Sequence, residues 1–260
     1  MEKAMGLFDH CSDEFYFNTA LATEMPLNTE RVGVMHFFEQ IRRRFPEIQH
    51  FYRREGAEHV LEQERRGQEM ARNVGLETKR LTTSIVSGES LDDLLLLPGF
   101  VYDRAPYDLA ASLIDVESLA VTFGFDLMYR GNHNDLLAEV IGMPAGMQNF
   151  LGEPSSPGSS AGTIRGITYE PSLQFAVDED CRTQARISFE TRTGAFHVRT
   201  EEYAEEPISV YLTIRRYGSL ATDQSFVGEV ERLAHLGFEW CRDRLVGSVL
   251  QPLKETIAIR

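Results

Sequence analysis

The run ESLAVTFGFDLMY, residues 117–129, constrains the fold of this chain more than any other stretch. Leu119, Val121, Phe123, Phe125, Leu127 and Tyr129 fall on one side of an extended backbone, and Ser118, Thr122, Gly124 and Asp126 on the other. A period of two with one apolar side describes a strand that buries one face. The period turns helical after Arg130-Gly131, where Leu136, Leu137, Val140 and Ile141 share a flank. Asn132 stands in the N-cap position, and Asp135, three residues on, completes a capping-box pattern with the shorter acid.

A similar strand-then-helix order opens the chain, over residues 15–23 and 28–45. Phe15, Phe17, Thr19 and Leu21 alternate, Met25-Pro26 breaks the strand, and Asn28 or Thr29 can cap the helix. Val34, Phe38, Ile41 and Phe45 form its apolar stripe. Arg42, Arg43 and Arg44 suit its C-terminal dipole, and Pro46 stops it. Residues 48–54, 58–64 and 76–86 read as a meander of strands with turns near Gly56 and Gly67. Short helices are predicted over 90–97, capped by Ser90 and closed by Pro98-Gly99, and over 108–114.

In the second half, residues 150–163 are rich in Gly, Ser and Pro and predict a loop, either a lid or a plain insertion. Four strands follow. They are marked by Ile167 to Val177, by Ala185, Ile187 and Phe189, by Phe196 and Val198, and by Ile208 to Ile214. Their short connections make neighbours antiparallel. A long helix over 224–250 carries Phe226, Val230, Leu233, Gly237, Trp240 and Cys241 on one flank and ends before Pro252. The chain thus divides at 1–114 and 115–260 into halves that repeat the order strand–helix–meander–helix, without residue identity between them. The fold class is α+β, an antiparallel sheet (or sheets) covered on one face by helices.

A net charge of -14, carried by both halves, repels nucleic acid and anionic membranes, so neither is an expected partner. No apolar run approaches the roughly 20 residues that cross a bilayer. The three cysteines, Cys11, Cys181 and Cys241, lie far apart and form no CxxC. The amino-terminal residues meet acid before any apolar run develops, so no signal peptide is expected. These features predict a reducing, cytoplasmic setting.

The segment IDVESLAVTFGFDLMYRGNHNDLLAEVIG, residues 114–142, with Arg80 and the 88–93 segment, resembles a block shared by a bacterial family of uncharacterised proteins of similar length. That resemblance implies no activity and assigns no site residue. In element order alone, residues 115–260 are similar to the helix-grip fold, in which a curved antiparallel sheet wraps a long C-terminal helix. Layout does not carry function.

Two polar groups are candidates for ligand binding. Arg130 and His133 at a helix N-terminus suit an anion, and His133 with Asp135 suits proton transfer. The competing structural reading has Asn132 capping, and His133 and Asn134 solvated in the first turn. The basic island over 42–80, in which Arg53, Arg54, Arg65, Arg66, Lys79 and Arg80 could line one sheet face, suits phosphate or carboxylate. Its interleaved glutamates suit cross-strand ion pairs instead. The acidic turn Asp178-Glu179-Asp180 lacks the spacing of a calcium loop. No HExxH, GxSxG, P-loop or GxGxxG occurs, and no catalytic group, metal or cofactor is predicted.

The expected function is a non-enzymatic binding or interaction module that self-associates. The alternative is a small-molecule binder or enzyme, for an anionic or apolar ligand. Its cavity would lie between the second-half sheet and the C-terminal helix, walled by Phe175, Phe189, Phe196, Tyr211, Phe238 and Trp240. One residue draws a specific expectation. Asp126, on the non-apolar side of the central strand, should be half covered and paired with an arginine of the first half.

Overall fold

A computed structural model describes residues 7–54, 58–64, 70–147 and 167–260. The predicted turns at Gly56 and Gly67, the side chains of Arg65 and Arg66, and the 150–163 loop lie outside them. Among the described residues nine strands form one antiparallel sheet. They are β1 (Glu14–Thr23), β2 (His50–Arg53), β3 (His59–Glu62), β4 (Ala71–Leu76), β5 (Arg80–Val86), β6 (Val116–Tyr129), β7 (Ser172–Ala176), β8 (Thr183–Glu190) and β9 (Glu206–Tyr217). Their order across the sheet is β2-β3-β4-β5-β1-β6-β9-β8-β7. The two long alternating strands therefore meet in the middle, with Thr19 opposite Val121 and Ala20 opposite Ala120.

The helices are α1 (Arg31–Arg44), α2 (Leu91–Asp108), α3 (His133–Val140), α4 (Ala195–Thr200), α5 (Phe226–Trp240) and α6 (Gln251–Ile259). The covered face of the sheet is apolar. Phe15, Phe17, Leu21, Leu119, Val121, Phe123 and Phe125 are all buried there, as the alternation of β1 and β6 requires. Helix α2 packs on α1, β5 and α5, and α5 packs on β6 and β9. One buried polar knot joins the layers: Thr19 Oγ1 lies 2.7 Å from Thr83 Oγ1 and 2.8 Å from the Tyr102 hydroxyl of α2.

Five predicted elements differ. Residues 76–86 are not one strand but the end of β4 and all of β5, joined at Glu77, whose N–H donates to the Arg80 carbonyl at 2.8 Å. That turn contains no Gly, Pro or Asn to announce it. Leu91–Asp108 form a single helix that runs through Pro98 and Pro106. Ser90 caps it as predicted, accepting from the Asp93 N–H at 3.1 Å. Burial of Leu94, Leu97, Val101, Tyr102 and Ala105 along one flank outweighs the two missing donors. The predicted 108–114 helix is only a 3-10 turn, Leu113–Asp115.

Residues 195–200, predicted as a strand from Phe196 and Val198, form the six-residue helix α4, with Val198 buried and Phe196 exposed. The C-terminal helix does not stop before Pro252. It passes through a π-helical stretch, Cys241–Leu250, into α6. There the Gln251 N–H reaches the Val246 carbonyl, five residues back. In that register Pro252 follows Gly247, whose missing side chain leaves open space.

Candidate functional site

The face of the sheet opposite the helices is built from the other parity of the same strands. One cross-strand row reads Ser84, Asn18, Thr122, Thr213, Arg186. The next reads Thr82, Ala20, Ala120, Arg215, Gln184. Small residues at the centre and long ones at the flanks leave a trough. A depression of about 330 Å³ is lined by Asn18, Ala20, Arg80, Thr82, Ala120, Thr122 and Arg215. A second, of about 220 Å³, shares Thr122 and Arg215 and is also lined by Arg186, Tyr211, Thr213 and Tyr217.

Hydroxyls line the floor, with Thr122 Oγ1 2.9 Å from Thr213 Oγ1. Asn18 Oδ1 is shielded from solvent and has no hydrogen-bond partner. Arg215 donates to the Tyr217 hydroxyl at 3.3 Å and stacks over that ring. Arg186 Nε donates to Ser172 Oγ at 2.8 Å. Among the described residues no carboxylate lies within 4.0 Å of Arg80, Arg186 or Arg215. Guanidinium groups without acids are unexpected in so acidic a chain.

The same face ends in an acidic, aromatic cluster. The Tyr16 hydroxyl donates to Asp126 Oδ1 at 3.4 Å, and the Tyr211 hydroxyl donates to Glu190 Oε2 at 2.7 Å. Arg192 pairs with Glu190 at 2.7 Å and donates to Ser209 Oγ at 3.3 Å. Gly124 allows this packing, because a Cβ there would stand 2.0 Å from the Tyr16 ring. Burial raises the Asp126 carboxyl pKa and the nearby Glu14 adds to the rise; hydrogen bonds from Ser209 and Tyr16, and the charge of Arg192, oppose it. Asp126 is thus half-buried as expected, but it meets the first half through a tyrosine. The arginine that acts on it, Arg192, belongs to the second half.

The predicted site residues do not converge. Arg130 is exposed and donates to the Tyr203 carbonyl at 3.3 Å. His133 is buried rather than solvated. Its Nε2 lies 3.3 Å from the Tyr129 carbonyl, and its Nδ1 accepts from the Arg192 N–H at 3.2 Å. Burial lowers its pKa, and both ring nitrogens are engaged by backbone groups of the protein itself. Asp135 accepts from Asn132 Nδ2 at 2.9 Å. Asn134, also read as solvated, is a buried hub: it donates to the Ile167 carbonyl and accepts from the Tyr169 N–H. Arg54 is drawn to Glu58 and Glu62, at 3.6 and 4.0 Å, the cross-strand pairing that its glutamate neighbours suggested. Of the five candidates only Arg80 lines the trough.

The aromatic wall proposed for a cavity under the C-terminal helix is dispersed. Phe175 stacks on Trp240 at 5.4 Å, Tyr211 lies on the open face and Phe196 is exposed. A Cβ on Gly237 of α5 would stand 2.5 Å from Phe123 and 3.3 Å from Ile214, so that interface is filled. Asp178 Oδ2 accepts the Thr183 N–H at 2.8 Å, holding a turn. Among the described residues no three His, Cys, Asp or Glu side chains converge as a metal site.

Asn18, Thr122, Arg186 and Arg215 escaped the sequence reading because they are far apart in the chain. The small and polar side of residues 118–126 was the one visible trace of the face they share. No described helix is long and apolar enough to cross a membrane. No protein-family model and no curated protein matches the chain.

Proposed function

We propose that the protein is a non-catalytic binding module that receives an anionic ligand in the trough on the open face of its sheet. The observation that carries this reading is the set of three guanidinium groups, Arg80, Arg186 and Arg215, without carboxylate partners among the described residues on a floor of hydroxyls. Guanidinium forks match carboxylate and phosphate oxygens. The buried, unpaired Asn18 Oδ1 invites a ligand hydroxyl or amide. Calorimetric titration with tripolyphosphate tests the reading. The parent should bind at least about ten-fold more tightly than Arg80→Gln/Arg186→Gln/Arg215→Gln, a difference of about 1.4 kcal/mol. Equal affinities would remove the trough as the site.

Self-association is a second reading, favoured by the edge strand β7. All five of its residues are exposed and none is charged, so among the described residues nothing blunts its outer backbone groups against a second copy. Sedimentation of the parent against Leu173→Lys, which places a charge on that edge, decides it. A parent that sediments as a monomer ends this reading. The repeated element order of the two halves supports a further proposal, that the chain arose by duplication around the β1–β6 pair. Three free cysteines suit a reducing, cytoplasmic setting.

A further inference from the structure

A second cavity, independent of the trough, opens where the start of α1 meets the β2 and β3 edge. It encloses about 300 Å³, with Arg31, Arg53, His59, Val34, Met35 and Phe51 among its walls. Its two sides differ in chemistry. Val34 is buried, whereas Met35 and Phe51 keep 36% and 39% of their surface exposed, more than apolar side chains of a filled interface would keep. The Phe51 and His59 rings lie nearly parallel, 14° apart with centroids at 6.1 Å, and Phe38 backs Phe51 at 5.1 Å. Together they form a flat, rigid wall.

The polar side carries the positive charge of Arg31 and Arg53. Among the described residues neither Arg31 nor Arg53 has a carboxylate within 4.0 Å, unlike Arg54 next in sequence, which faces Glu58. His59 Nδ1 is shielded from solvent and has no hydrogen-bond partner. A buried, unpaired ring nitrogen is costly in a folded chain and calls for a partner.

We infer that this cavity binds a small organic anion with a flat apolar body. The carboxylate or phosphate end lies between Arg31 and Arg53, and the body lies along Phe51, His59 and Val34. Two guanidinium groups supply forked donors for the anionic oxygens. The aromatic wall supplies contact area and stacking. A volume of this size admits one small molecule, at the lower end of the range for ligand pockets. The same walls suit neither a bare inorganic ion, which leaves the apolar side wet, nor a neutral body, which leaves the guanidinium groups unmatched.

Calorimetry with 2-naphthoate as the probe tests the inference, with acetate and 2-naphthylmethanol as its two halves. The parent should bind 2-naphthoate with a Kd below about 1 mM and each half at least about ten-fold more weakly. Arg31→Gln/Arg53→Gln, which changes two exposed side chains, should fold as the parent does by circular dichroism and lose at least about ten-fold in affinity. In Arg80→Gln/Arg186→Gln/Arg215→Gln the 2-naphthoate binding that depends on Arg31 and Arg53 should persist, and its loss there would assign the site to the trough and overturn the inference. The inference is overturned if the parent gives no saturable heat, if the Arg31/Arg53 variant keeps parental affinity, or if 2-naphthylmethanol binds equally well.

Discussion

The chain makes the passage from a central strand into a helix twice, and the two junctions treat their polar residues in opposite ways. Between β6 and α3, His133 and Asn134 are buried and, with the capping Asn132, turn their polar groups to the protein itself. Asn132 accepts from the Asn134 N–H, His133 bridges the Tyr129 carbonyl and the Arg192 N–H, and Asn134 bonds the Ile167 and Tyr169 backbones. Between β1 and α1, residues 24–30 lead to a helix whose N-cap, Glu30, makes no side-chain bond to the first turn. Arg31, Arg53 and His59 surround an open cavity there. The denser polar motif is the sealed one. Polar density at a junction measures how much capping and bridging the backbone needs, whereas readiness for a ligand shows as charge left without a partner.

The contrast can be broken at its strongest point. Asn134→Ala empties a buried position and removes its bonds to the Ile167 carbonyl and the Tyr169 N–H, and should lower stability by about 2–3 kcal/mol in urea unfolding. Asn28→Ala, at the other junction, removes one exposed bond to the Glu30 N–H and should cost less than about 1 kcal/mol. Similar losses from both variants would erase the distinction. Next comes Gly131→Ala, whose Cβ would stand 2.4 Å from the Tyr129 hydroxyl. The Tyr129 ring is buried, so overpacking should cost about 1–3 kcal/mol. A parental unfolding midpoint would show that the sealed junction has slack.

A smaller effect follows from His133. Burial holds its folded pKa below the unfolded value of about 6.5, so the unfolded chain takes up the proton first as pH falls. Its contribution is complete above about pH 6.5 and declines as pH drops toward the folded pKa. Unfolding midpoints of the parent should therefore fall more between about pH 7 and pH 5.5 than those of His133→Gln. Parallel pH profiles would mean that the ring is not shielded.

Legibility followed physical range. Alternation in β1 and β6, the stripe of α1 and the Ser90 and Asn132 caps are local signals, and each stands as read. The helix through Pro98 and the one through Pro252 were misread because local rules end a helix at proline, while packing of the buried flank or a π-helical register carries it onward. The β4–β5 turn lacked turn residues, and α4 mimicked a strand by placing Phe196 and Val198 two apart. Of the trough only Arg80 and the small, polar side of residues 118–126 were legible: Asn18, Thr122 and Arg215 become neighbours only once the register of three strands is set. Arg53 and Arg54 show the same limit within one dipeptide, since strand parity sends them to opposite faces, one into a cavity and the other to Glu58.

The smallest predicted effect bears on the open junction alone. Glu30 has the extended backbone of an N-cap, φ -60 and ψ 139, but its side chain bonds to none of the first-turn N–H groups. Serine in the same conformation places a hydroxyl oxygen where it accepts from the N–H two or three residues on. Glu30→Ser should therefore raise stability by about 0.5–1 kcal/mol, less whatever the carboxylate gains from the helix dipole, about 0.3 kcal/mol at an exposed site. Glu30→Ala isolates that dipole contribution and should lie within about 0.5 kcal/mol of the parent. The reverse change at the sealed junction, Asn132→Ala, removes an existing cap and should cost about 1 kcal/mol. If Glu30→Ser unfolds at or below the parental urea midpoint while Asn132→Ala shows its loss, the first-turn amides of α1 are already satisfied. The two junctions would then differ in their charges and not in their caps.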